Sequence, residues 1–215
     1  MTWGRKVGAL VVVAAAVAGC ASEAAPTNDE RPALRVLLAG DSITLGYHAS
    51  DVASSYAALL LDDWGTRRAV EVTRAEEAGA RGWRIARAVE ALADPAWDVA
   101  VLEVGANDVG KTAVQEFADD YRDLVLAAER GEPELVVCLG PWNDGVRTPP
   151  YDLVVAQICD GDGRVHAPLS DLYDDAALHG PVGASTAFGP RDGFHPNDAG
   201  HAAIARRVAA AIVIE

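Results

Sequence analysis

Ser42 follows Gly40-Asp41, Asn107 follows Gly105-Ala106, and His195 lies three residues after Asp192. A serine hydroxyl is a weak nucleophile at its ordinary pKa and needs an adjacent base. Histidine is the natural base, because an unperturbed imidazole titrates near neutrality. Asp192, in the same loop, can fold back onto the ring, fix its tautomer and stabilise the imidazolium. Attack on an ester carbonyl creates an oxyanion that needs hydrogen-bond donors aimed at it. The amides of Ser42 and Gly82, with the side-chain amide of Asn107, supply three. Glycine suits such a place because a missing side chain admits close approach, and a helix N-terminus adds its dipole. Asp41 is expected to order the turn and not to join the catalytic set.

These groups need a frame that brings them to one place. Residues 34–39 form a short apolar run that stops at a small-residue turn, the pattern of a strand covered on both faces. Similar runs at 98–104 and 135–139, an alternating segment at 70–74 and a short one at 164–167 give five expected strands. Helical spacing of apolar residues predicts helices over 54–64, 83–93, 114–129, 151–159 and 197–211, with a loop-rich stretch over 172–189. Strands alternating with helices imply right-handed crossovers and a doubly wound parallel sheet. In such sheets ligands bind at the C-terminal ends of strands, where Ser42 and Asn107 fall.

Four blocks in order resemble those of the SGNH, or GDSL-type, hydrolases: Gly40-Asp41-Ser42-Ile43-Thr44-Leu45-Gly46, Gly82, Gly105-Ala106-Asn107-Asp108 and Asp192-Gly193-Phe194-His195-Pro196. The tail Asn197-Asp198-Ala199-Gly200-His201 matches too. The resemblance covers nearly all of a domain at 33–215. It implies an α/β fold, a three-layer α/β/α sandwich around a five-stranded, mostly parallel, flavodoxin-like sheet. It also implies a cofactor-free esterase acting on acetyl esters of sugars, lipid esters or thioesters, and no metal is expected, because Asp160-Gly161-Asp162-Gly163 lacks the remaining calcium-loop ligands. The second block departs from the family's habit. Glu77 stands where asparagine is usual and Trp83-Arg84 follows Gly82, so Gly79 competes with Gly82, which is preferred because it opens a helix. Trp83, Trp142 and Asn143 are candidates to contact substrate, the tryptophans by stacking on a sugar or aryl group.

At the N-terminus, Arg5 and Lys6 precede an apolar stretch too short for a normal membrane span. Val17-Ala18-Gly19-Cys20 resembles the bacterial lipobox, which implies a signal peptide at 1–19, lipidation of Cys20 and a flexible tether at 20–32. The expected location is extracytoplasmic, lipid-anchored to the cell membrane, or secreted if the anchor is unused. Without Arg5 and Lys6 the chain carries 16 basic against 32 acidic residues, a balance that excludes nucleic acid as a partner. The expected partner is a small-molecule or glycan ester. Cys138 and Cys159 are candidate disulfide partners, one in an expected strand and one in a helix. Two readings from other classes compete. Gly105 to Thr112 satisfies the phosphate-loop pattern of a nucleotide-binding protein, in which Lys111 is essential and Asn107 a spacer. The other is a lipoprotein that binds without catalysis. Within the same chemistry, a lysophospholipase or thioesterase competes with the carbohydrate esterase.

Overall fold

The computed structural model describes residues 32–93 and 95–212, so the expected signal peptide, Cys20 and nearly all of the expected tether lie outside the described residues. Five strands form one parallel sheet: β1 (Leu34–Gly40), β2 (Val70–Glu76), β3 (Val99–Glu103), β4 (Leu135–Leu139) and β5 (Arg164–Ala167), in the order β2-β1-β3-β4-β5. Side chains alternate across a strand, and the core divides accordingly. Leu37, Ala39, Ala100, Leu102, Val136 and Cys138 face one apolar cluster, while Val36, Leu38, Val99, Val101, Val137 and Leu139 face the other. The first cluster is closed by α2 (Gly82–Glu90), α3 (Val114–Glu129) and α4 (Pro149–Ile158). The second is closed by α1 (Tyr56–Gly65) and α6 (Asp198–Ala211). A sheet with both faces covered in this way is a three-layer sandwich.

Helix starts follow local chemistry. The Ser55 side chain accepts from the Ala58 amide and caps α1, and Asn197 caps α6 by accepting from the Gly200 amide. The loop-rich stretch holds a one-turn helix, α5 (Ser170–Tyr173), and a two-residue antiparallel pair, β6 (Ser185–Thr186) with β7 (Gly189–Pro190). Cys138 of β4 and Cys159 at the end of α4 are joined by a disulfide, with their Cα atoms 6.4 Å apart. No helix among the described residues is long and apolar enough to cross a membrane.

The strand order reverses direction at β1 and β3. Chain crossovers leave this pair in opposite directions, and the crevice above their C-terminal ends is open to a ligand. Two glycines keep it tight. A Cβ on Gly40 would lie 2.0 Å from Thr44 Oγ1, and one on Gly105, at φ +110°, would lie 2.7 Å from the Pro141 ring.

Candidate active site

At the tip of β1 the chain turns at once, with the Leu45 amide donating to Asp41 O and the Tyr47 amide to Ser42 O. Asp41, fully buried, accepts the Ile43 amide on Oδ1 at 3.0 Å and the Asn107 side chain on Oδ2 at 2.9 Å. It therefore orders the turn and ties it to the end of β3. Beneath it lies Glu103, also fully buried, which accepts from Thr44 Oγ1 at 2.9 Å; Thr44 in turn meets Tyr56 Oη at 2.8 Å. Burial and the neighbouring Asp41 push Glu103 well up, and burial pushes Asp41 up to about 6. Of this pair Glu103 is the member that keeps its proton.

Ser42 Oγ lies 3.0 Å from His195 Nε2, and His195 Nδ1 lies 2.8 Å from Asp192 Oδ2. The other oxygen of Asp192 accepts the amides of Phe194, at 2.9 Å, and His195, at 2.8 Å. Burial pushes the Asp192 carboxyl up, but these two amides and the His195 ring outweigh it and hold it below the ordinary aspartate range. An ionised carboxylate at Nδ1 keeps a proton there, which leaves the Nε2 lone pair facing the serine hydroxyl. That arrangement can move a proton from Ser42 and return it to a leaving group.

The three expected oxyanion donors are near one another, but two are already engaged. The Ser42 amide has no acceptor among the described residues. The two hydrogens of the Asn107 amide go to Asp41 Oδ2 and, at 3.1 Å, to Ala80 O. The Gly82 amide, expected to face an oxyanion, donates instead to Asp108 Oδ2 at 3.1 Å. The buried Asp108 carboxylate sits at the N-terminus of α2, where helix amides attract an anion. Its other oxygen accepts Thr112 Oγ1 at 2.7 Å.

The same contacts bear on the phosphate-loop pattern. The amides of Asp108, Val109, Lys111 and Thr112 all donate to Gly105 O or Asp108 O, so they are not free to cradle a phosphate, and Lys111 is exposed. The Asp108 carboxylate ties this turn to the Gly82 amide and to Thr112 Oγ1.

Of the residues expected at a substrate surface, Trp142 is fully buried, its Nε1–H donating to Phe194 O at 2.8 Å. It offers no stacking face, because the loop after β4 tucks beneath the His195 loop. Asn143 is buried as well, donating to Ala106 O and accepting from the Asp144 amide and Arg147. Trp83 stays 41% exposed at the start of α2, flanked by the guanidinium groups of Arg84 and Arg87 at 5.6 and 5.5 Å. The aromatic surface beside His195 comes from elsewhere. Tyr47 stacks on Phe188 with ring centroids 4.5 Å apart, and Tyr47 lies 5.7 Å from the His195 ring.

Sequence reasoning also passed over His48, which is 7% exposed, with φ +64° and Nε2 3.6 Å from Asp192 Oδ2. Burial lowers its pKa. Its signal was its place, six residues after the nucleophile in the same turn.

Residues 38–203 match the model of the GDSL-like lipase/acylhydrolase family. The chain belongs to this family. It is accordingly a hydrolase, and the sheet and layers just described are those of GDSL esterases of known structure. The psychrotrophic esterase EstA from Pseudoalteromonas sp., in a structure inhibited by monoethylphosphonate, superimposes with a TM-score of 0.63 at 17% identity, covering 82% of this chain and 94% of that one. The acetyl xylan esterase AlAXEase gives 0.63 at 20% identity, covering 84% and 100%. A two-domain esterase active on acetylated mannans, co-crystallised with mannopentaose, gives 0.62 at 23% identity, covering 83% of this GDSL hydrolase and 48% of the larger chain. No curated protein sequence matches the chain.

Proposed function

We propose that the chain is a serine esterase that hydrolyses small acyl esters, acetyl esters of carbohydrates foremost, through an acyl-enzyme. The observation that carries this reading is the continuous line from Ser42 Oγ through His195 to Asp192, with contacts of 3.0 and 2.8 Å. Ser42 attacks the ester carbonyl while His195 Nε2 takes its proton. The same proton passes to the departing alcohol, and a water then repeats the cycle to release the acid. Asp192 holds the ring and offsets the imidazolium charge. The oxyanion meets the free Ser42 amide, and gains Asn107 and Gly82 by sharing hydrogens that rest on Asp41 and Asp108. The carbohydrate acceptor is supported by two structural relatives, an acetyl xylan esterase and an esterase active on acetylated mannans. An extracytoplasmic, lipid-anchored location is part of the proposal. It rests on the lipobox-like residues ending at Cys20, and a disulfide is the bond an oxidising compartment preserves.

Ser42→Ala should abolish hydrolysis of p-nitrophenyl acetate, and a phosphonate ester should label Ser42 in the wild-type chain. An undiminished rate in Ser42→Ala would refute the mechanism. Parallel assays on acetylated xylan and mannan, lysophospholipids and acyl thioesters decide the substrate. The reading expects the acetylated glycans to be turned over fastest.

A further inference from the structure

The side chain left over from this mechanism is His48. Its imidazole is more than nine-tenths buried, yet neither nitrogen makes a hydrogen bond among the described residues, and Nδ1 is wholly unpartnered. It is held there at a backbone cost. His48 adopts φ +64°, a region few residues other than glycine enter, and Arg191 Nε clamps its carbonyl at 2.9 Å. The ring packs 4.7 Å from that of His195. Its Nε2 faces the one oxygen of Asp192 that takes no backbone amide.

The geometry points to a binding site for a divalent transition-metal ion of the Zn²⁺ kind, formed by His48, Asp192 and His195, that switches the esterase off reversibly. One ligand atom from each of the three lies within 4.8 Å of those of the other two. Tetrahedral zinc with ligands at about 2.0–2.1 Å sets ligand atoms about 3.3 Å apart. The His48 to Asp192 separation of 3.6 Å is close to this, and the 2.8 Å between Asp192 and His195 Nδ1 needs only to open by a few tenths. Two imidazoles and a carboxylate suit zinc, with a water in the fourth place. Asp192 Oδ1 keeps its two amide donors, so the carboxylate stays oriented when Oδ2 turns to a metal. The Asp192 side chain is 46% exposed, which gives the ion its way in.

Inhibition follows from the tautomer. A metal on Nδ1 takes the seat of the Nδ1 proton, so the neutral ring carries its hydrogen on Nε2. That nitrogen then has no lone pair for the Ser42 proton. The inhibitory half of this inference rests on the proposed mechanism, whereas the binding half does not.

The test uses the untagged full chain, stripped with EDTA, and ZnCl₂ as the probe. Calorimetry should show one zinc per chain, and p-nitrophenyl acetate hydrolysis should fall in step with occupancy and recover on adding EDTA. His48→Asn and His48→Gly, which both tolerate positive φ, should weaken binding by at least about 100-fold, beyond the loss typical of an outer-shell change. Each is compared with its own zinc-free rate. His166→Asn, which removes another histidine paired with a carboxylate, should bind zinc as the wild type does. No binding by the wild type, or equal binding by both His48 variants, overturns the site. Binding that depends on His48 without any effect on a working esterase overturns the switch. A chain inactive without zinc that still binds it through His48 upholds the site and refutes the catalytic reading instead.

Discussion

Removing the Cys138–Cys159 disulfide perturbs the sheet at a place where the loss can be calculated. The bond closes a loop of 21 residues, running from β4 through α4. Closing a loop of that length removes chain entropy from the unfolded state worth about 3.3 kcal/mol at 25 °C. Both cysteines are buried in the cluster beneath α3 and α4, so replacing both by alanine adds a packing loss to the entropic one. The double variant Cys138→Ala/Cys159→Ala should therefore lose at least about 3 kcal/mol, lowering the melting temperature by roughly 6–12 °C for a domain of this size. Urea unfolding followed by circular dichroism measures it, and the slope m should rise, because the uncrosslinked chain exposes more surface. Esterase activity well below the transition should be unchanged, since neither sulfur touches the Ser42 or His195 networks. Equal midpoints and equal slopes for the two proteins would sink the entropic account. So would two free thiols at these positions in the denatured, unreduced chain.

Asn107→Ala should lower kcat by about 10²–10³, the usual loss for one oxyanion donor, with Lys111→Ala unaffected. The opposite pattern would restore the phosphate-loop reading. Trp142→Phe removes the indole donor from the half-buried Phe194 carbonyl and should lower stability by about 1 kcal/mol in urea, leaving KM unchanged. Phe188→Ala, beside Tyr47, should instead raise KM for aryl and glycan esters, and a rise in KM with Trp142→Phe alone would reverse that division. His201 is buried, with its pKa lowered to about 4 by burial. It accepts the Tyr56 amide on Nδ1 and leaves Nε2–H for Tyr47 O, so it is bound neutral. The unfolded chain takes up that proton first, so the stability from His201 is intact above about pH 6.5 and falls by roughly 3 kcal/mol on the way to pH 4. Asp41, raised to about 6, works in the opposite direction over an overlapping window, gaining stability as pH falls. The check is thus the difference between wild type and His201→Gln. A difference that does not shrink as pH drops from 7 to 4 would count against a neutral His201.

The strands and most helices were legible because each announces itself within a few residues. Leu135–Leu139 and Val114–Glu129 have the expected bounds, since apolar runs and helical spacing are local properties. The GDSL blocks were legible for the same reason. What escaped depended on contacts between distant residues. Nothing near Trp142 says that Phe194, 52 residues later, will lie over it. Nothing near Gly82 shows that a carboxylate 26 residues on will take its amide, although Asp108 was visible beside Asn107. The disulfide was undecidable because it depends on where α4 ends against β4. His48 was missed because its burial and its contacts come from residues far along the chain, Arg191 on its carbonyl and Asp192 and His195 beside its ring.

The two halves of the site also differ in what holds them. The nucleophile's half is a chain of polar groups, with Tyr56, Thr44, Glu103 and Asp41 buried and Asn107 half-buried, drawn from α1, the β1 turn, β3 and the turn after it at the middle of the sheet. It can open only if the core does. The base's half is a surface loop fastened at its margins. Arg191 holds it to His48 O and Gly180 O, Trp142 to Phe194 O, and Asn197 to Ala177 O and Gly180 O. Local openings run from the least buried contacts to the most buried. Asp192 and His195 should therefore leave Ser42 before the oxyanion side loosens, and their amides should exchange hydrogen ahead of those of β1 and β3. A GDSL site built this way inactivates first by losing its base, with the serine turn still folded.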